Sequence, residues 1–422
     1  MEEGISAFMM LCVMLVLLMT PGLAFFYGGL SRRKNVGNTM IMVFAAIGIA
    51  AITWTMIGWS IAYGGSGDDP LFGGFDQLML MGSTEFALIE ADEQPTGTYP
   101  QLIDVVFQMA FCMITTAIIT GGVAGRMRFG AVVAFLFLWT ILVYPVLAHM
   151  VWGGEASLIG GMIGALDFAG GDVVHISSGL TALILCILCG KRKGFGAMSY
   201  RPHNVPFVAL GAALLWFGWF GFNAGSAFAP DGVAALALVN TVCASGAGIV
   251  SWMIVERIIV KKPTLIGACT GLVAGLVVIT PAAGFVEPWA ALLMGLFASP
   301  VCYLAISHAK RLFGYDDALD AFGCHCVGGI LGGILTGIFC VPELSWTGSG
   351  GLIYTGDLTL LGAQILGIVV TIAFVGVLDV IIGLVLKACY KGSLRVSDEA
   401  EALGLDISEH GESAYPAYIG LD

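Results

Sequence analysis

LDFAGGDVVHISSG, residues 166–179, places an acid, a glycine hinge and then a histidine at the start of an apolar segment. DDALDAFGCHCVGGILGG, residues 316–333, repeats this order of residue types. The separation from Asp167 to His175 equals that from Asp317 to His325, and the two histidines lie 150 positions apart. An imidazole within a hydrophobic span is costly unless it has a partner, so two in matching positions predict a functional site. We interpret the two stretches as one structural unit used twice.

The composition is that of a membrane protein. Hydrophobic residues make up 58% of the chain and charged residues only 11%, which indicates that lipid is its solvent. The 60 glycines are typical of helices that pack closely within a bilayer. The net charge of -12 offers no basic surface, so nucleic acid is excluded as a partner. The N-terminal MEEGIS has no basic segment, and we therefore expect the first apolar run to be a permanent span and not a cleavable signal peptide.

Apolar runs of about 20 residues, enough to cross about 30 Å of hydrocarbon, predict the membrane spans. Eleven runs begin near Ile5, Gly37, Gln101, Phe129, Gly170, Val205, Val233, Pro263, Pro288, Ala321 and Leu358. All Lys and Arg residues fall in alternate loops or on the C-terminal side. The positive-inside rule then predicts an N-terminus outside and a C-terminus in the cytoplasm.

An odd number of spans with a doubled acid–histidine pattern divides most simply into five, five and one. Because five is odd, the second half must be inverted relative to the first. Inverted-repeat transporters place their substrate path at the repeat interface near the midplane, so both histidines are expected to face one central pathway. The fold class predicted is all-α and polytopic, with eleven transmembrane helices and a central pore in each subunit. We assign residues 1–390 to the transmembrane domain, with halves at about 5–195 and 205–342 and a long last span at about 358–388, and residues 391–422 to a cytoplasmic tail.

Several long motifs now indicate a family. AHMVWGG with LDFAGGDVVHISSGL (148–180), GWFGFNAGSA (218–227) and DDALDAFGCHCVGGILGGILTGIF (316–339) occur in this order. They closely resemble motifs of the ammonium transporters of the Amt/Mep/Rh family, in particular the prokaryotic Amt branch, and the resemblance covers the whole chain. It implies an ammonium transporter of the cell (inner) membrane that has no cofactor and is not an enzyme.

The resemblance also implies roles for individual residues. His175 and His325 match the twin histidines of a narrow hydrophobic pore, and Phe111 and Phe222 match the stacked rings that close its outer end. The residues that match the family's outer ammonium-recruiting site are Phe107, Trp152 and Ser226. An aromatic face attracts a cation and a hydroxyl accepts its N–H, which fits such a site.

Three acids are expected to support the pore. Asp167 matches an acid near the outer mouth; its place before a glycine-rich helix start suits a carboxylate that accepts backbone N–H bonds, and we favour this structural role. Asp317 and Asp320 match acids of the inner vestibule. Cys324 and Cys326 flank His325 and suggest a soft-metal site, but neighbours on one helix point in different directions, so we expect no metal and interpret the cysteines as packing residues.

The implied mechanism is recruitment of ammonium at an outer aromatic vestibule, deprotonation, and conduction of ammonia, with or without the proton, past the twin histidines. Two alternatives are an ammonium sensor that signals through its tail and an intramembrane metalloenzyme with His175 and His325 as ligands. The sequence has no HExxH or similar close ligand spacing, which argues against the enzyme. The resemblance further implies a homotrimer with a pore in each subunit.

The tail after Lys391 leaves the apolar pattern abruptly. Ser397, followed by Asp398 and Glu399, predicts an N-cap and a short amphipathic helix that ends near Gly404. The sequence SLRVSDEAEALGLDISEHGESAY resembles the family's C-terminal signature. This resemblance implies a regulatory element that packs under the subunits and is recognised by a PII-type signal protein.

Overall fold

The structure is a computed structural model that describes residues 3–83, 99–197 and 200–416. Within these residues, eleven helices are long and apolar enough to cross a membrane, as predicted. They are α1 Glu3–Leu30, α2 Arg33–Tyr63, α3 Gln101–Val123, α4 Phe129–Trp152, α5 Gly171–Cys189, α6 Val205–Gly225, α7 Gly232–Ile259, α8 Leu265–Ala282, α9 Pro288–Phe313, α10 Phe322–Phe339 and α11 Thr359–Cys389. The largest difference from the predicted starts is at α2, which begins at Arg33 and not near Gly37.

Helices α1 and α6, the first of each half, pack antiparallel along their length. A Cβ added at Gly225 would lie against Cys12, and one added at Gly211 would lie against the backbone of Phe26. Early residues of α1 thus meet late residues of α6, and late residues of α1 meet early residues of α6. Such close backbone approach is how helices associate without a hydrophobic driving force between them. The antiparallel pairing is the one that an inverted second half requires.

The two histidine-bearing helices, α5 and α10, start in the same irregular way. Each begins with a π-helical turn, Gly171–Ile176 in α5 and Phe322–Cys326 in α10. A left-handed residue stands before each turn: Gly170 has φ 116° and Asp320 has φ 62°. π turns are rare and occur mainly at functional sites. The doubled sequence pattern therefore corresponds to a doubled backbone irregularity.

Helices α5 and α10 cross at very short range. A Cβ at Gly179 of α5 would lie 2.7 Å from the Cβ of Cys326, and one at Gly329 of α10 would lie 3.2 Å from the Cβ of His175. Only glycine allows this approach without displacing the opposite helix. The crossing sets the distance between the two histidines.

The last helix, α11, covers the back of this crossing. It has 31 residues, which corresponds to about 46 Å at 1.5 Å per residue. Its Gln364 accepts a hydrogen bond from the Leu166 N–H at 2.5 Å and donates to the Leu166 carbonyl at 2.9 Å and the Gly333 carbonyl at 3.2 Å. One amide therefore fixes both the loop before α5 and the body of α10.

The tail folds against the end of the bundle that carries the basic loops. Arg128 N–H donates to the Leu394 carbonyl and Val396 N–H donates to the Arg126 carbonyl, each at 3.0 Å. The predicted short helix is present as α12, Asp398–Leu403, with the Ser397 hydroxyl accepting from Ala400 N–H at 3.2 Å. A further short helix, α13 Leu405–His410, follows directly after Gly404.

Two side chains attach α13 to the start of α2. Asn35 Oδ1 accepts from Leu405 N–H at 2.9 Å, and Asp406 Oδ1 accepts from Asn38 N–H at 2.8 Å. Leu394 and Leu405 are almost fully buried beneath these contacts. The described part of the tail, which ends at residue 416, is thus a packed element of the fold.

A buried ion pair joins the loops that follow α5 and precede α10. Arg192 donates to Asp316 through Nη2 at 2.6 Å and through Nε at 2.9 Å, and both side chains are almost inaccessible to solvent. Burial raises the pKa of Asp316, but the hydrogen bonds and charge of Arg192 outweigh it, so the pKa lies below its ordinary value. The Arg192 guanidinium also lies 4.3 Å from the centre of the Tyr200 ring. The pair links the inner ends of the two halves.

We expect Asp316→Asn to lower the free energy of unfolding by about 3 kcal/mol, because it leaves the buried Arg192 without its charge partner. Unfolding in mixed detergent–SDS micelles measures the loss. The Asp316 contribution is complete above the ordinary carboxyl pKa and is lost as pH falls through the lowered folded-state pKa, so the difference from wild type should shrink in strong acid. Asp398→Asn removes an exposed acid 4.0 Å from Lys193 and serves as control with a much smaller expected effect. Equal losses in the two variants would contradict the importance of the buried pair.

Candidate functional site

A cavity of about 640 Å³ opens at the end of the bundle opposite the tail, which we call the outer side. Four of the residues that were singled out in the sequence line it: Phe111, Trp152, Asp167 and Ser226. Phe107 does not: it is 1% exposed and packs behind Phe111 at a ring distance of 4.9 Å. The structure thus brings two of the three expected recruiting residues to the cavity surface.

The hydrogen bonds made by Trp152 and Ser226 fix which of their groups can contact a ligand. Trp152 donates its Nε1–H to the Asp167 carbonyl at 2.8 Å, which fixes the ring edge-on to Phe111 at 6.3 Å. The Ser226 hydroxyl donates to the Phe222 carbonyl at 2.9 Å and keeps its oxygen lone pairs for an incoming N–H. The cavity floor therefore offers an aromatic face and an acceptor, a combination that suits a small cation with N–H groups.

Phe111 and Phe222 close the inner end of this cavity. Their rings are stacked with centroids 4.0 Å apart and an angle of 13° between planes, and both side chains are buried. Phe111 belongs to the outer cavity and Phe222 to the next one inward. The ring pair is thus the partition between the two.

The next cavity contains the two histidines. Its volume is only about 10 Å³, which is about the space of one water molecule. Apart from the two imidazoles, its walls are apolar or aromatic: Met19, Leu23, Phe26, Ile114, Ile118, Val174, Leu215, Trp219, Phe222 and Val273. A hydrated cation does not fit into such a space, whereas a molecule the size of water does.

His175 and His325 contact each other directly. Their Nδ1 atoms are 3.2 Å apart and their ring planes are inclined by 29°. One Nδ1 must donate and the other accept, so one Nε2 is left as an acceptor and the other as an N–H donor. The His175 Nε2 is buried and has no hydrogen-bond partner among the described residues. Trp219 stacks on the His175 ring at 5.4 Å and is itself held by a hydrogen bond to Thr280 at 3.0 Å.

His325 also lines a third cavity of about 60 Å³ on the tail side. Asp320 reaches this cavity and forms an ion pair with Lys310 at 2.7 Å. Asp317 lies deeper and is 1% exposed; its Oδ2 accepts from Phe322 N–H at 2.8 Å. Burial raises the pKa of Asp317 to about 6. The two inner acids therefore differ in position: Asp320 faces the cavity and Asp317 caps α10.

Asp167 caps α5 in the same manner. Its two carboxylate oxygens accept from the N–H groups of the four residues 170–173, at 2.8, 2.5, 2.8 and 3.4 Å. Burial raises the pKa of Asp167, and these four donors oppose that effect. The acid–histidine repeat is therefore a helix cap followed by a histidine that lines the narrow cavity.

Other groups near the path have no evident ligand role. Asp172 is buried against α11 and its Oδ1 has no partner among the described residues. Cys326 packs on Gly179, and Cys324 lines the inner cavity. In the described ranges, no three His, Cys, Asp or Glu side chains are grouped as a metal site would require.

A polar strip on the wall of the outer cavity was not expected from the sequence. Asp104 and Gln108 lie there with Tyr63, and none of the three was among the site residues expected from the sequence. Asp104 and Gln108 are four residues apart and therefore share one face of a helix, and Phe111 lies one turn further along that face. This spacing could have indicated the strip from the sequence.

A family model described as the ammonium transporter family matches residues 7–415. The chain belongs to the ammonium transporter family. The ammonium transporter of Bacillus subtilis (strain 168) is 47% identical over 415 residues, which cover 98% of this chain and 99% of the relative.

Solved structures of the ammonium transporter family have the same fold. Saccharomyces cerevisiae Mep2 superimposes with a TM-score of 0.84 at 31% identity, covering 94% of this chain and 91% of that one. A structure titled Sensor Amt Protein superimposes with a TM-score of 0.85 at 28% identity, covering 97% of this chain and 98% of that one. The chain is accordingly a multi-pass membrane transporter of ammonium and not an enzyme, which rules out the metalloenzyme alternative.

Proposed function

We propose that this chain recruits ammonium in the outer cavity, removes a proton there, and conducts ammonia past the twin histidines, with the proton either left outside or passed along the histidine pair. The observation that carries the proposal is the 10 Å³ apolar cavity around two touching imidazoles, placed behind the stacked Phe111 and Phe222. Moving an isolated ion into such a medium costs tens of kcal/mol by Born estimates, whereas neutral ammonia pays no such penalty. Potassium has no proton to release and is therefore not conducted.

The direct test is an ammonium pulse applied to proteoliposomes while current and luminal pH are recorded together. We expect a response above that of empty vesicles for ammonium and none for potassium at equal concentration. A potassium response of the same size, or no ammonium response, would contradict the proposal. The ratio of current to pH change then shows whether the proton travels with ammonia.

Mutations should distinguish the role of the stacked Phe111 and Phe222, the outer gate, from the role of the Trp152 ring in recruiting ammonium. Phe222→Ala removes one ring of the stacked pair, so we expect water and potassium to enter the pore and selectivity to fall. Trp152→Leu keeps the gate but loses a cation–π contact worth about 2 kcal/mol when desolvated, so the half-saturating ammonium concentration should rise about 10- to 30-fold. Flux against ammonium concentration, with and without potassium, measures both effects. Unchanged selectivity in Phe222→Ala and unchanged saturation in Trp152→Leu would contradict the assigned geometry.

The orientation proposed is N-terminus outside and C-terminus cytoplasmic in the cell (inner) membrane. In support, the tail contacts the basic loop ends at 32–35, 126–128 and 191–193, so the tail and these basic residues share one side. We further propose a homotrimer and recognition of the tail by a PII-type signal protein. The homotrimer rests on family resemblance, and each subunit would hold a complete path because both histidines belong to one chain.

A sensor function is the second candidate. It is favoured by the similarity to the structure titled Sensor Amt Protein and by the packed tail, which is suited to report changes in the bundle. The two candidates differ in flux: a sensor that conducts little would give no response in the proteoliposome test, while its tail contacts would still change with ammonium.

A further inference from the structure

Three oxygen atoms on the wall of the outer cavity have no hydrogen-bond partner in the described part of the chain. They are Oδ1 of Asp104, Oε1 of Gln108 and the hydroxyl oxygen of Tyr63. Each of these atoms is shielded from solvent, and the Gln108 residue is only 6% exposed. Buried polar atoms in native proteins nearly always have a partner, so three such oxygens on one wall indicate a site suited to a ligand that carries hydrogen-bond donors.

The three groups form a strip that leads to the gate. Asp104 and Gln108 lie one turn apart on α3, and Phe111 follows on the same face. Tyr63 ends α2 and lines the same cavity from the neighbouring helix. A ligand that donates to these oxygens would therefore lie on the wall above the stacked rings.

The charged residues that line the cavity indicate that this ligand is a cation. Among the described residues that line the cavity, the charged ones are Asp104, Glu155 and Asp167, and none is Lys or Arg. Asp167 has both oxygens occupied by backbone N–H groups, and Glu155 is exposed to solvent. Asp104 is thus the acid of this wall that offers a shielded, unpaired carboxyl oxygen.

We propose that Asp104, Gln108 and Tyr63 form a subsite for ammonium on the cavity wall, separate from the aromatic face of Trp152. This inference rests on the proposed function, since it assigns a further binding site to the same path. Ammonium suits the site because it carries one positive charge and has four N–H donors, enough for all three acceptor oxygens. A bare alkali ion has no donor and needs more oxygen ligands than these three side chains supply.

The test compares two acids of the same cavity in the full-length chain in proteoliposomes. For Asp104→Asn, we expect the half-saturating ammonium concentration to rise about tenfold with an unchanged maximal rate, because a charge-assisted hydrogen bond is lost. Asp104→Glu should restore part of the affinity. Glu155→Gln is the matched control, because it removes an exposed acid from the same cavity and should change the half-saturating concentration less than about twofold.

Three results would overturn the subsite. They are an equal shift in Asp104→Asn and Glu155→Gln, no shift in Asp104→Asn, or a lower maximal rate with no shift.

Binding can be tested apart from transport. Thermal stability in detergent, measured with ammonium chloride against potassium chloride at equal ionic strength, should show stabilisation by ammonium in wild type and a loss of it in Asp104→Asn. Equal stabilisation by potassium would overturn the assignment to ammonium. If wild-type vesicles carry no ammonium but the binding difference persists, the proposed transport mechanism fails while the subsite stands.

Discussion

Replacement of either pore histidine by alanine is expected to reduce selective ammonium flux to the background of empty vesicles, a loss of at least about 100-fold. Among the described residues that line the narrow cavity, all except the two histidines are apolar or aromatic, so each variant removes a hydrogen-bonding group that no neighbour replaces. A 100-fold loss corresponds to about 2.7 kcal/mol, within the cost of leaving one buried polar partner unsatisfied. Stopped-flow recording of luminal pH after an ammonium pulse measures the flux of His175→Ala and His325→Ala.

His308→Ala is the matched control, because His308 is exposed at the inner end of α9 and touches no part of the path. It should transport like wild type. His175→Glu is the more informative variant: it keeps a proton carrier beside His325 but introduces charge, so it should retain some ammonium response while admitting potassium. Wild-type flux and selectivity in a folded double-alanine variant would show that the histidines are not needed for the path.

Removal of all residues after Lys391 is expected to lower transport by about tenfold or more and to abolish binding of a purified PII-type protein. The tail contacts the start of α2 through Asn35 and Asn38 and the α3–α4 loop through Arg126 and Arg128. A coupling of 1–3 kcal/mol between such a docked element and the path corresponds to about a 5- to 150-fold effect. Flux in proteoliposomes, pull-down with the partner, and native mass spectrometry for the trimer are the three measurements.

Glu412→Gln, an exposed substitution within the tail, is the control for charge alone and should leave all three measurements unchanged. Asp406→Ala should weaken transport in the same direction as the truncation, because it removes the acceptor of the Asn38 N–H bond. Normal transport by the truncated chain, together with no partner binding by the full chain, would show that the tail is not a control element.

Much of the architecture followed from the sequence because membrane helices are specified by long apolar runs and loop charge, both of which are local signals. The spacing of Asp167 and His175, repeated at Asp317 and His325, was informative for the same reason: a cap and the first turn of its helix are neighbours in sequence. Ser397 gave a correct start for α12 on this basis.

What the sequence motifs did not reveal was the rotation of α3 about its axis, and with it the burial of Phe107. Phe107 was expected at the recruiting site from family resemblance, yet it lies behind Phe111 because rotation of α3 turns Asp104, Gln108 and Phe111 toward the cavity. The buried pair of Arg192 and Asp316 was equally hidden, since its partners are 124 positions apart and neither lies in an apolar run. Long-range pairing and helix rotation are set by packing, which no local pattern encodes.

The crossing of α5 and α10 has a consequence for how such a pore can diversify. Gly179 and Gly329 carry no side chain toward a substrate, yet the added carbon of alanine at either would push the imidazoles apart. Side chains that line the pore can differ between related proteins as long as the chemical character of the lumen is preserved. At the two glycine positions, by contrast, almost no substitution is tolerated. Sequence conservation should therefore be highest at positions that do not contact the transported molecule. A comparison of related transporters based only on residues that line the lumen would miss these most constrained positions.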